Sequence, residues 1–186
     1  MTTLVGIQGN WGSVIATDSR IVEGSKIIEN NDKAIVHKGF IMAFVGDVRA
    51  MDILMHNFIP SKPEQWDRVY ITSEFIPEMI KCYNNTNCNT KSFLAKDEGI
   101  LGVTIMVSYN GKIYIIDKNL AIIGGKNGIL ADGDGGDLAL GCMEALYTKE
   151  ITKKEAIALA RKTINIAAKH NTNTGKPAHV YSQDRK

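Results

Sequence analysis

No stretch of about 18 apolar residues occurs in the chain, so nothing in it reads as a membrane span. Long Lys/Arg runs are missing too, and a formal net charge of +2 argues against nucleic acid as the main partner. Met1 leads directly into Thr2-Thr3-Leu4-Val5, without a basic segment and a following apolar one. The expectation is no secretory signal and a cytoplasmic protein. Cysteine is scarce: Cys82, Cys88 and Cys142 are an odd, scattered set, and Cys82 and Cys88 lack zinc-ligand spacing and a neighbouring His pair. Reduced thiols in a reducing compartment are the plain reading.

Two further absences bear on cofactors. Gly133-Asp134-Gly135-Gly136 precedes a helical pattern, as phosphate-cradling glycines do. It lacks the Gly-Lys-Ser/Thr ending, and its aspartates would repel phosphate. Asp132, Asp134 and Asp137 are spaced like the start of a calcium loop, but Met143 stands at the twelfth position, where a Glu is needed. An EF-hand is excluded, although a casually bound cation near these carboxylates is not. No cofactor is expected in this chain.

What is present is ordinary globular material: 186 residues, 44% apolar and 23% charged. This length fits one domain, residues 1–186, and buries roughly two-thirds of the unfolded surface. Short β-rich runs at Thr3 to Ile7 and Ser13 to Asp18 flank a Gly/Asn turn. Ala34 to Val36 and Phe40 to Val45 flank His37-Lys38-Gly39. Val103 to Val107 and Ile113 to Ile116 flank Asn110-Gly111, the strongest short-range hairpin signal. Val48, Met51, Leu54, Met55 and Phe58 give a helix from Asp47 to Phe58. A second helix is expected from about Gln65 to Tyr83, kinked or split at Pro77, followed by an exposed Asn/Thr-rich loop from Asn84 to Thr90. Short strands are expected at Ala121 to Ile123, Gly128 to Ala131 and Ala178 to Ser182. Between the last two lie a helix from Asp137 to Tyr147 and another opened by the capping box Thr152-Lys153-Lys154-Glu155. Strands grouped in hairpins imply antiparallel sheets, and grouped helices imply layers covering them. The class is α+β, and a four-layer αββα sandwich satisfies the order, though the pattern alone does not single it out.

Several segments together raise a family. Thr2-Thr3-Leu4-Val5-Gly6-Ile7, Val14-Ile15-Ala16-Thr17-Asp18-Ser19-Arg20 and Ala43-Phe44-Val45-Gly46-Asp47 resemble, in order and spacing, the opening of proteasome β subunits, and more closely the bacterial HslV peptidases. The resemblance continues through Leu120-Ala121-Ile122-Ile123-Gly124 and Gly133-Asp134-Gly135-Gly136-Asp137-Leu138-Ala139 to the last helix and strand. Residues 58–100 match only in element type. It implies the αββα fold of N-terminal-nucleophile hydrolases and a threonine peptidase.

In that chemistry the initiator methionine is removed and Thr2 becomes both nucleophile and base. A free α-amine, with a reference pKa of about 7.7–8.0, is the group that takes the hydroxyl proton. The resemblance gives Lys33 the role of lowering that amine's pKa and Asp18 the role of holding Lys33. Lys33 lies one residue closer to Asp18 than the family spacing, and Lys38 is too far along to replace it. Gly46 takes the place of the oxyanion glycine. Asp134 stands where the family has a serine near the amine. Asn171 and Thr174 replace the aspartate and serine of Asp-x-x-Ser-Gly, so Thr174 keeps a hydroxyl and Asn171 keeps hydrogen bonding without charge. As partners the resemblance implies copies of this chain in stacked rings of six or seven subunits and a separate ATP-using AAA+ unfoldase. Its substrates would be unfolded proteins or peptides. Two other readings stay open: a catalytically silent ring protein acting as scaffold, decoy or regulator, and an N-terminal-nucleophile amidase for a small molecule.

Overall fold

The computed structural model describes residues 2–23, 25–29, 31–86, 102–125 and 127–186. In chain order its elements are β1 (Thr3–Gly9), β2 (Gly12–Thr17), β3 (Ile21–Glu23), β4 (Lys26–Ile28), β5 (Ala34–His37) and β6 (Phe40–Gly46). Next come α1 (Val48–Asn57), α2 (Arg68–Tyr70), a π-helical turn (Ile71–Phe75) and α3 (Ile76–Asn85). They are followed by β7 (Val103–Tyr109), β8 (Lys112–Ile116), β9 (Ile122–Gly124), β10 (Ile129–Gly133), α4 (Gly136–Leu146), α5 (Lys153–His170) and β11 (His179–Asp184).

Period-two alternation divides these strands between layers. One sheet has the order β10-β1-β2-β11 and the other β5-β6-β7-β8-β9, with antiparallel neighbours throughout. Along β1, Val5 and Ile7 pack with Ala139, Met143, Ala160 and Ile164 of α4 and α5. Leu4 points the other way and joins Ile15, Ile41, Ala43, Met106, Ile113 and Ile115 between the sheets. Along β6, Phe40, Met42 and Phe44 turn outward to meet Leu54, Phe75 and Met79 of the first helical layer. Successive side chains leave a strand on opposite faces, so three apolar clusters stack as helix–sheet, sheet–sheet and sheet–helix. This is the αββα sandwich.

Turn chemistry follows the sequence. Asn110 (φ 47°) and Gly111 (φ 72°) both take the left-handed conformation that a two-residue hairpin requires, as do Lys38 (φ 47°) and Gly39 (φ 85°). Thr152 and Glu155 form the expected reciprocal capping box. Two expectations are refined. Pro77 does not end its helix: it sits in the first turn of α3, and the helical run is interrupted just upstream of it by a π turn at Ile71–Phe75. Asn84 and Asn85 continue that helix, which Thr86 caps, so the Asn/Thr-rich loop does not begin at Asn84. Residues 87–90, and with them Cys88, lie outside the described residues; Cys82 and Cys142 are free thiols. The β3–β4 hairpin was not expected. Among the described residues, no helix is long and apolar enough to cross a membrane.

Candidate active site

The site grows from the first residues of β1. Thr3 pairs with Gly133 of β10 on one side, and its carbonyl accepts the Asp18 amide on the other. Thr2 extends this edge: its carbonyl accepts the Asp134 amide at 2.9 Å. Gly133 (φ 88°) makes that approach possible, because a Cβ there would run into the Thr2 carbonyl and press on Val45.

Asp18, directly after β2, is completely buried and fully used. Its Oδ1 accepts the Thr3 amide at 2.9 Å and the Lys33 ammonium at 2.7 Å. Its Oδ2 accepts the amides of Arg20 at 3.0 Å and Gly175 at 2.9 Å. Lys33, the residue before β5, also donates to the Arg20 carbonyl at 2.5 Å. The two side chains are 1% and 0% exposed, so the ion pair is sealed from water. Burial pushes the Lys33 ammonium below its ordinary value of 10.5; the charge and hydrogen bond of Asp18 oppose this, Asp134 opposes it by charge, and Arg20 adds to the lowering.

Thr174 and Asn171 complete a second layer. The Thr174 hydroxyl meets that of Thr3 at 2.6 Å and donates to Asn171 Oδ1 at 3.2 Å, so its connection to Thr2 runs through the next residue. Asn171 donates its Nδ2 to the Asp134 carbonyl at 2.9 Å, a bond an ionised aspartate could not make. A carboxamide at this position thus ties the loop after α5 to the turn before α4. Gly135 is excluded from carrying a side chain, because its Cβ would fall on the hydroxyls of Thr3 and Thr174.

The structure therefore gathers Thr2, Asp18, Lys33, Asp134 and Thr174 around the start of β1. Gly46 stands apart from their hydrogen bonds. It is the exposed last residue of β6, at φ 133°, where a Cβ would collide with the Gly102 carbonyl. It follows Val45, which reaches Gly133 and so lies on the same side as Thr2. Sequence reasoning did not single out Thr3, the Arg20 carbonyl or the Gly175 amide. Two of these act through backbone groups that no residue type announces, whereas the hydroxyl of Thr3 was available as a signal. Among the described residues, no group of three or more His, Cys, Asp or Glu is placed to hold a metal ion. Burial raises the Asp132 carboxyl above its ordinary value, the charge of Asp117 adding to this and hydrogen bonds from Gly133 and Thr104 opposing it.

The Proteasome family, described as "Proteasome subunit", matches residues 1–182. The chain belongs to the proteasome family. A proteasome subunit beta of Nanoarchaeum equitans is 25% identical over all of this chain and 94% of its own length. Among solved structures, BPH of Thiobacillus denitrificans is similar with a TM-score of 0.79 at 19% identity, covering 99% of this chain and 98% of that one. BPH in complex with epoxomicin superposes with a TM-score of 0.76 at 20% identity, covering 99% of each chain. The eukaryotic HslV of Trypanosoma brucei gives 0.68 at 17% identity, covering 98% of this chain and 99% of its own. The TM-scores at near-complete coverage establish the shared fold, consistent with the layers described above.

Proposed function

We propose that this chain is a cytoplasmic threonine peptidase that hydrolyses peptide bonds with Thr2 as nucleophile once Met1 has been removed. The observation that carries the reading is the sealed Asp18–Lys33 pair, bonded to the first amide of the strand that Thr2 begins. A buried ammonium at this place lowers the proton affinity of a neighbouring α-amine, leaving it free to act as the base. Thr2 attacks the carbonyl carbon while its amine takes the hydroxyl proton and delivers it to the leaving nitrogen, and water then hydrolyses the ester on Thr2 and restores its hydroxyl. The Gly46 amide stabilises the oxyanion. Asp134 and Thr174 support the amine, Thr174 by way of Thr3. Intact-mass spectrometry of the purified protein tests the premise: Met1 should be absent, and a retained Met1 would leave Thr2 with an amide nitrogen that cannot accept a proton.

Assembly is part of the proposal. Val36, Val69, Leu138 and Leu146 are large apolar side chains left exposed on the isolated chain, which supports contacts between copies. Light scattering at micromolar concentration should find a closed ring of six or seven subunits, single or doubled. Monomer alone would overturn the ring and favour the small-molecule amidase. A separate AAA+ ATPase would feed unfolded protein to the ring.

Asp134 yields a pH prediction. A carboxylate facing the α-amine stabilises its ammonium form, so the active fraction rises with pH and activity is weak near neutrality. Asp134→Ser should move that rise toward lower pH. Because Asp134 is exposed, salt should shrink the difference. Superimposable pH–rate profiles would show that Asp134 is not coupled to Thr2. No turnover in either protein would favour the silent scaffold, the reading that the substitutions at Asp134 and Asn171 support.

A further inference from the structure

The last strand does more than complete a sheet. In β11, His179, Tyr181 and Gln183 alternate along one face and all three reach across to the second sheet. Gln183 donates to the Gly39 carbonyl in the β5–β6 turn and accepts the Gly111 amide in the β7–β8 turn. Tyr181 donates its hydroxyl to the Asp32 carboxylate, with both carboxylate oxygens in reach, and His179 Nδ1 stands 4.0 Å from Asp32 Oδ2.

Asp32 immediately precedes Lys33, and its Oδ1 also accepts the Ala34 amide at 3.2 Å, so one carboxylate spans the lysine's backbone. On the other side the Lys33 carbonyl accepts the Phe44 amide at 2.9 Å. The backbone that carries the ammonium is thereby pinned from two directions, by β6 within its own sheet and by β11 from the facing one. Such pinning matters here because the chain between Asp18 and Lys33 is taken up by the β3–β4 hairpin.

We infer that Tyr181 and Asp32 are positioning residues for Lys33, the phenol clamping the carboxylate beside the lysine so that its ammonium stands between Asp18 and the Arg20 carbonyl. The catalytic consequence rests on the threonine-peptidase reading; the placement of Lys33 does not. Among the described residues, Asp18, Asp134 and Arg20 act on the ammonium by charge, and burial is the largest influence on it. Loosening the clamp admits water and brings the lysine back toward 10.5. In support of a tight clamp, burial together with the hydrogen bond and charge of Asp32 drives the Tyr181 phenol well above its ordinary value of 10.0.

The test compares the assembled parent with Tyr181→Phe, which deletes only the hydroxyl, Asp32→Ala, which removes the clamp, and Asp32→Asn, which keeps an acceptor oxygen. Two readouts are taken: kcat and KM on one peptide substrate, and the titration of Lys33 followed by NMR in protein labelled with ¹³C-lysine, the resonance being assigned with Lys33→Arg. Tyr181→Phe and Asp32→Ala should lower kcat about tenfold or more at nearly constant KM, within the roughly 100-fold that ångström-scale misplacement costs. They should also raise the Lys33 titration midpoint, while Asp32→Asn restores most of both. A parent-like kcat and a parent-like Lys33 titration in Tyr181→Phe would overturn the inference. If the parent cleaves no peptide, the peptidase reading fails, and the Lys33 titration still decides the clamp. If Asp32→Ala does not fold, Tyr181→Phe decides it alone.

Discussion

Thr2→Ala should reduce peptide hydrolysis to background while leaving assembly intact. Removal of the nucleophile in a hydrolase whose groups act as a unit costs on the order of 10⁶-fold in kcat, and Thr2 supplies both the hydroxyl and, through its backbone, the amine. The methyl side chain of alanine keeps that amine, so the variant separates the two contributions. Thr2→Ser retains hydroxyl and amine together and should keep measurable turnover. Thr3→Ala should be much milder, but not silent. The Thr3 hydroxyl pairs with Thr174 in a buried contact, and losing one such hydrogen bond costs about 1 kcal/mol. The Thr3 amide, which holds Asp18, is untouched by the substitution. Cleavage by Thr2→Ala at the parent rate would end the proposed mechanism.

The layers were legible because alternation is local. Leu4 against Val5 and Ile41 against Phe40 are decided by neighbouring residues in one strand, and Asn110-Gly111 sets its own hairpin. The β3–β4 hairpin was not legible for the converse reason: Lys26–Ile28 is exposed throughout, so no buried face imposes a pattern on it. Pro77 was read as a kink or split because its missing amide is a local fact, whereas the π turn just before it involves Ile71 and Phe75, which pack into the first helical cluster. The site divides in the same way. Asp18 and Lys33 stood out through resemblance, as residues in motifs. The Tyr181–Asp32 contact joins residues 149 apart in sequence and depends on how two sheets face each other, which periodicity within a strand does not encode. Asn171 read as a lost carboxylate, and only the position of the Asp134 carbonyl shows what its amide group donates to.

Breaking the Asp18–Lys33 pair should have the largest effect on stability, and which partner is removed should matter. Asp18→Asn leaves an ammonium in a site that is 1% exposed. It also sets an amide NH₂ where one carboxylate oxygen accepts two donors, whether Thr3 and Lys33 or Arg20 and Gly175. Removing one partner of a buried pair costs about 3–5 kcal/mol, read as a fall in the urea midpoint at fixed protein concentration, since assembly contributes to apparent stability. Lys33→Met fills similar space with an apolar chain and leaves Asp18 its three backbone donors, so it should cost less stability than Asp18→Asn while still abolishing efficient turnover. The pH dependence follows from the direction of the Lys33 shift. Its folded value lies below 10.5, so the native state holds this proton less tightly than the unfolded chain does. Between the folded value and 10.5 the unfolded chain binds more protons, and stability due to this residue rises with pH. Below the folded value both states are protonated and the cost of burying the ammonium is present in full. The parent should therefore gain stability relative to Lys33→Met as pH climbs toward 10.5, with the difference constant at lower pH until other groups titrate. A stability difference between parent and Lys33→Met that stays flat up to pH 10.5 would mean that Lys33 is not held below its ordinary value.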